Sequence, residues 1–146
     1  MSTEIRRAAP DDLERLVEMG IRFASETKYR DLVHVSPEKL SQTLVEISTS
    51  PTGVVFVSES DGRVTGMIAM LIFEHPYSGT TTASEALWWV DPEHRGVGLR
   101  LLRTAERWAQ ENDAKIMQMV APDERIGSLY ERLGYRPVET SYQRSL

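Results

Sequence analysis

The run Trp88-Trp89-Val90-Asp91-Pro92-Glu93-His94-Arg95-Gly96-Val97-Gly98 leads into Leu99-Arg100-Leu101-Leu102-Arg103-Thr104-Ala105. It reads as a buried strand, a glycine-bearing turn and the start of an amphipathic helix. A helix start exposes unpaired backbone N–H groups and the positive end of the macrodipole, and glycines let an anion approach them with no Cβ in the way. Arg95 adds a fork of donors. The junction is therefore built to hold an anion such as a phosphate, although a plain strand-to-helix turn would leave the same residues.

Two other phosphate motifs do not fit. A Walker loop needs Lys and Ser or Thr after its last glycine, and a dinucleotide fingerprint needs a glycine three residues after Gly98, where Leu101 stands.

Further along, a helix ending near Asn112 precedes a strand over residues 115–120 and then Ser128-Leu129-Tyr130-Glu131-Arg132-Leu133-Gly134-Tyr135. With the run 90–96, these pieces resemble in order and spacing the GNAT superfamily of acetyl-CoA-dependent N-acetyltransferases. The last third of the chain carries the likeness. The segment Arg136-Pro137-Val138-Glu139-Thr140-Ser141-Tyr142 resembles the C-terminal strand of bacterial and phage-type members. The family loop is Arg/Gln-x-x-Gly-x-Gly/Ala. Counted from Arg95, it puts Gly98 at the first glycine and Arg100 at the second; aligned on the Leu-Leu pair, the loop is two residues short.

With 146 residues, the chain is expected to form one domain over 1–146. It has no cysteine, which excludes disulfides, thiolate metal sites and a cysteine nucleophile. The start Met1-Ser2-Thr3-Glu4 has no apolar leader and no apolar run reaches membrane-spanning length, so a cytoplasmic location and no membrane partner are expected. A net charge of −5 argues against nucleic acid and suits a cationic amine. His34, His75 and His94 are scattered without an i, i+4 pair, so no metal is expected.

The order of elements follows from periodicity and punctuation. A short strand at Thr3–Arg7 precedes a helix starting near Asp11 and Glu14 after Pro10, with Leu13, Leu16, Val17, Gly20 and Phe23 on its inner face. Residues 27–35 are irregular. Ser36-Pro37-Glu38 starts a second helix with Leu40, Leu44 and Ile47 inside. Strands at 54–58 and 64–73 flank the Asp61-Gly62 turn, and 83–90 follows a loop at His75–Gly79. The third helix, 98–111, turns Leu102, Ala105 and Ala109 inward and stops at Asn112 in a left-handed conformation. Residues 115–120 read as a central strand covered on both faces. Asp123 caps a last helix with Ile126, Leu129, Tyr130 and Leu133 on one stripe, Gly134 closes it, and 135–144 is a final strand. The class is α+β. The resemblance implies the GNAT-like acyl-CoA N-acyltransferase fold: a mixed, mostly antiparallel sheet of six to seven strands flanked by about four helices.

Amide formation from a thioester needs a deprotonated amine, a held carbonyl and a proton for the departing thiolate. An alkyl ammonium has a pKa of about 10.4, so a base must take its proton. The resemblance implies acetyl-CoA as acyl donor and Glu85 as that base; a solvated strand-edge glutamate is the alternative. It implies Tyr130 as the phenol aimed at the sulfur, and the helix stripe also permits a core tyrosine. Trp88, Trp89 and Val90 would offer backbone groups to the pantetheine arm, with a backbone N–H near Val90 meeting the oxyanion. Arg95, Gly96, Val97, Gly98 and Arg100 would face the pyrophosphate; for Arg103 a solvated helix face is the preferred reading.

For the acceptor, Tyr29, Arg30 and His34 between the first helices and Tyr142 on the last strand occupy regions that line family pockets, though each also reads as a surface residue. The expected activity is transfer of acetyl to a primary amine of a small molecule or peptide in a ternary complex. Two rival readings are a non-catalytic acyl-CoA-binding module and a partner-binding protein on the same fold. Relatives are often dimers, so a homodimer is a state the resemblance allows.

Overall fold

A computed structural model describes residues 2–146; Met1, part of the start read above for a leader, lies outside the described residues. Five strands form one sheet in the order β1 (Thr3–Arg7), β2 (Gly53–Ser60), β3 (Arg63–Glu74), β4 (Thr81–Val90) and β5 (Ile116–Gln118). All neighbours are antiparallel except β4 and β5, which run parallel. Helices α1 (Leu13–Ser25) and α2 (Pro37–Thr49) cover one face, and α3 (Gly98–Glu111) covers the other, followed by α4 (Glu124–Arg132).

The apolar run Val54-Val55-Phe56-Val57 explains the two-layer core, because alternate side chains of β2 leave the sheet in opposite directions. Val54 and Phe56 join Ile68 and Met70 beneath Leu101, Leu102, Ala105 and Trp108 of α3. Val55 and Val57 join Met67, Ala69 and Trp89 beneath Leu16 and Met19 of α1 and Leu44 and Ile47 of α2. Gly66 lets α3 lie close: a Cβ there would stand 3.0 Å from Leu101 Cδ1 and 2.8 Å from Ser58 Oγ. Asp61 (φ 52°) and Gly62 (φ 78°) both adopt positive φ, the geometry a two-residue hairpin of matching twist requires.

The structure corrects four expectations. The sheet has five strands rather than six to seven: residues 135–144 carry no strand, and the segment's backbone pairing stops at Tyr135, whose N–H donates to Tyr130 O. Pro137 has no N–H to offer a ladder, and β5 presents an edge of only three residues. Residues 115–120 are not a doubly covered central strand; β5 is a short edge strand with Ile116 38% exposed. The chain entering α1 is fastened by Asp12 rather than by Asp11 and Glu14. Its carboxylate takes the Ala9 N–H at 2.7 Å and the Arg6 guanidinium at 2.8 and 3.1 Å. The left-handed residue after α3 is Asp113 (φ 63°), not Asn112, whose side chain donates to Trp108 O instead.

Candidate functional site

Strands β4 and β5 pair only from Thr82–Ser84 against Ile116–Gln118. Beyond that point β4 carries one extra residue, Ala86, since Ala69 faces Leu87 while Met70 faces Glu85. A bulge of this kind bends its strand. The parallel pair therefore opens into a fork, and side chains bridge it where backbone no longer does. Glu85 Oε1 accepts the Val120 N–H at 2.8 Å, and the Tyr130 hydroxyl donates to the Val120 carbonyl at 3.1 Å. One residue just beyond the end of β5 thus brings together the carboxylate and the phenol. Asp123, whose Oδ1 accepts the Ile126 N–H at 2.9 Å, starts α4 and so fixes where Tyr130 stands.

Tyr130 packs against two other rings, stacked on one and tilted to the second. Trp88 lies 5.9 Å away at an interplanar angle of 25°, and Tyr135 lies 5.6 Å away. The Trp88 Nε1–H is buried without an acceptor. Burial pushes the Glu85 carboxyl up to about 7, against the opposing pull of the Val120 N–H. The Tyr130 phenol is pushed well above its ordinary value, first by burial and then by the Glu85 and Tyr135 groups. The fork so pairs a carboxyl that is half ionised near neutrality with a phenol that keeps its proton.

A cavity of about 700 Å³ opens on this fork. One wall comes from α3, α4 and the turns leading into them, with Gly96, Gly98, Leu99, Pro122, Arg125, Ile126 and Tyr130; the other comes from α1, the segment before α2 and the first turn of α2, with Phe23, Tyr29, Val33, Val35 and Leu40. A buried carboxylate locks the turn at its rim. Asp91 accepts from Arg15, from Arg22 at 3.4 Å and from the Trp89 indole N–H at 3.1 Å. Arg95 folds back beside it, its Nε donating to Val90 O at 2.8 Å and its guanidinium lying 4.9 Å from the Trp89 ring centroid. At Gly96 a Cβ would meet nothing within 4 Å, whereas at Gly98 it would touch Trp88 Cζ2 at 3.5 Å. Open backbone at Gly96 and the guanidiniums of Arg95 and Arg125 give this end the donor chemistry a phosphate needs.

Of the residues singled out from sequence, Glu85, Trp88, Trp89, Val90, Arg95, Gly96, Gly98, Tyr130 and Tyr29 line the cavity. The others are elsewhere. Val97 packs against the α3 core layer. Arg100 donates to Thr3 O at 3.1 Å and so points to the β1 side of the sheet, away from the fork. Arg30 is exposed beside Asp31, His34 is exposed, and Tyr142 is 91% exposed on the unpaired C-terminal segment. Sequence reasoning missed Val120, whose part is played by its backbone, and Arg125, an ordinary exposed helix residue by pattern. It also assigned Phe23 to packing alone and passed over Val33 and Val35. Among the described residues no group of three or more His, Asp or Glu is placed to hold a metal ion, and no helix is long and apolar enough to cross a membrane.

The model of the acetyltransferase (GNAT) family matches residues 19–135. No curated protein sequence matches the chain. Among solved structures, a transcriptional regulator from Bacillus halodurans C-125 is 21% identical with a TM-score of 0.80, over 99% of this chain and 100% of that one. The aminoglycoside antibiotic 6'-N-acetyltransferase AAC(6')-IG from Acinetobacter haemolyticus is 20% identical with a TM-score of 0.77, over 98% and 97%. AAC(6')-Iy, solved with the bisubstrate analog CoA-S-monomethyl-acetylneamine, is 18% identical with a TM-score of 0.78, over the whole of both chains. At these identities the structures share the fold.

Proposed function

Because the chain belongs to the acetyltransferase (GNAT) family, we propose that it moves an acetyl group from acetyl-CoA to a primary amine, both substrates meeting in one ternary complex. The observation that carries this reading is the fork between β4 and β5, where Glu85 and Tyr130 converge on Val120 beside a cavity of about 700 Å³. The solved neighbour AAC(6')-Iy holds a CoA-linked bisubstrate analog on the same fold, which supports acetyl-CoA as donor.

Acetyl-CoA supplies an activated thioester carbonyl. Arg95, Arg125 and the open backbone at Gly96 would hold its phosphates, and Trp88, Trp89 and Val90 flank the path toward the fork. Glu85 takes a proton from the substrate ammonium, a role suited to a carboxyl that burial has raised to about 7. The freed nitrogen lone pair forms the C–N bond as the C–S bond breaks. Tyr130 gives its proton to the departing thiolate, and the second proton leaving nitrogen replaces it. Burial keeps that phenol protonated until it is called on. No covalent enzyme intermediate is involved.

A second reading, acyl-CoA binding without transfer, draws on two observations. Glu85 and Tyr130 already have partners at Val120, and the family glycine loop is either substituted at its second glycine by Arg100 or two residues short. Incubation with acetyl-CoA and a panel of primary amines separates the two. Transfer predicts thiol release that depends on the amine, with an N-acetylated product by mass spectrometry. Saturable acetyl-CoA binding with no product would establish the second reading, and absence of binding would refute both.

A further inference from the structure

The cavity continues past the fork to the wall formed by the C-terminal half of α1, the segment before α2 and the first turn of α2. That wall is apolar: Phe23, Tyr29, Val33, Val35 and Leu40 face it. The Phe23 ring lies 5.8 Å from Tyr29 and 6.2 Å edge-on to Trp89, so three rings form a continuous surface. Its one acid is Glu26, and Arg22 Nε already holds that carboxylate at 3.0 Å. Arg22 and Arg95 stand 5.8 and 4.9 Å from the Trp89 ring centroid, and Arg22 is ion-paired with Glu26, Asp91 and Glu93, so the carboxylates of this flank already hold a guanidinium. Across the cavity, Asp123 is turned to the α4 backbone as its cap. Glu85, at the reacting end, accepts the Val120 N–H through Oε1 alone, which leaves its second oxygen to meet a cationic nitrogen.

We propose that the acceptor is a monoamine whose amino group hangs on a short chain from an apolar body of aromatic size, and that multiply charged amines are rejected. The assignment rests on the N-acyl transfer reading, which sets the amine at Glu85. A second ammonium on the α1 side would lose its water and find the carboxylates there already ion-paired with Arg22. An aryl ring in the same place buries its surface against Phe23, Val35 and Leu40.

The test uses the full chain with 2-phenylethylamine, ethylamine and spermidine. It measures kcat/KM with acetyl-CoA and, separately, the calorimetric Kd of each amine for the CoA-saturated protein. 2-Phenylethylamine should exceed both other amines by about tenfold or more on each scale. Val33→Asp, at a position 43% exposed and so safe for folding, should narrow its lead over spermidine, as should Val35→Asp. Spermidine equal to or better than 2-phenylethylamine would overturn the assignment, as would a ratio that neither variant moves, or no calorimetric binding of any amine. Turnover that prefers spermidine would sink this inference while leaving N-acyl transfer standing. The expected order of Kd values with no acetylated product would support the lobe and remove the transfer reading.

Discussion

Replacing Glu85 with Gln separates chemistry from packing in a single variant. Gln keeps an Oε1 acceptor for the Val120 N–H at nearly the same size, but it has no charge to gain or lose. With the carboxyl raised to about 7, its ionised fraction climbs from about a tenth at pH 6 to about nine tenths at pH 8. The amine substrate ionises identically in both proteins, so the wild-type to variant ratio of kcat/KM isolates Glu85. That ratio should rise about tenfold from pH 6 to pH 8, and a lost general base should lower the variant's plateau by about 10²-fold or more. Stability should move the opposite way. The folded carboxyl holds its proton to about 7 against an ordinary 4.5, so its favourable contribution is complete below 4.5 and is lost as pH rises through 7. Taken at face value that range corresponds to about 3 kcal/mol, and because the side chain is half-buried and reaches the cavity the expected gain for Glu85→Gln at pH 8 is about 1–2 kcal/mol. Kinetics across pH and urea unfolding at pH 4 and pH 8 read both quantities. A flat activity ratio together with equal stability at both pH values would refute the reasoning.

Other perturbations test neighbouring links. Tyr130→Phe should lower kcat by about 10²-fold while leaving acetyl-CoA affinity nearly unchanged, and losing the bond to Val120 O should cost about 1 kcal/mol in urea unfolding; an unchanged kcat would assign the ring to packing. Asp91→Asn deprives Arg15 and Arg22 of their shared buried carboxylate and should cost about 2–4 kcal/mol in the same assay, with a loss under about 0.5 kcal/mol contradicting its locking role. Gly66→Ala presses a Cβ against Ser58 Oγ, Leu101 and Val90 and should cost about 1–3 kcal/mol; a neutral outcome would mean that α3 shifts freely. Hydrogen bonds from Arg6 hold the Asp12 carboxyl below its ordinary 3.8, so its contribution is present above that value and lost as pH falls beneath it. Asp12→Asn should therefore flatten the acid end of the stability curve, which thermal unfolding between about pH 2 and 6 would register.

Helix α3 was legible because Leu101, Leu102, Ala105, Trp108 and Ala109 recur at helical spacing, and all five are buried. Asp123, through its capping carboxylate, and Gly134 (φ 96°), through its missing Cβ, bracket α4. The fork was not legible. Nothing in Ser84-Glu85-Ala86-Leu87 marks a bulge, because the extra residue is an alanine and the sequence carries no glycine there. Val120 was invisible for a deeper reason: it acts through an N–H and a C=O that every non-proline residue possesses. Arg100 was misplaced because spacing tells which face of a helix a residue occupies but not how far a long side chain reaches, and here it reaches Thr3. The likeness of residues 136–142 to a family C-terminal strand suggested a strand, yet a strand needs a partner edge, and β5 extends for only three residues.

The central claim is that the opening between β4 and β5 admits the acyl donor. Backbone amide chemical shifts during titration with CoA test it most directly. Saturable changes are expected at Glu85–Val90, Gly96–Gly98 and Val120–Tyr130, with the β1 side around Thr3 and Arg100 unmoved. Saturable changes confined to the β1 side, or no changes at CoA concentrations that saturate turnover, would contradict it.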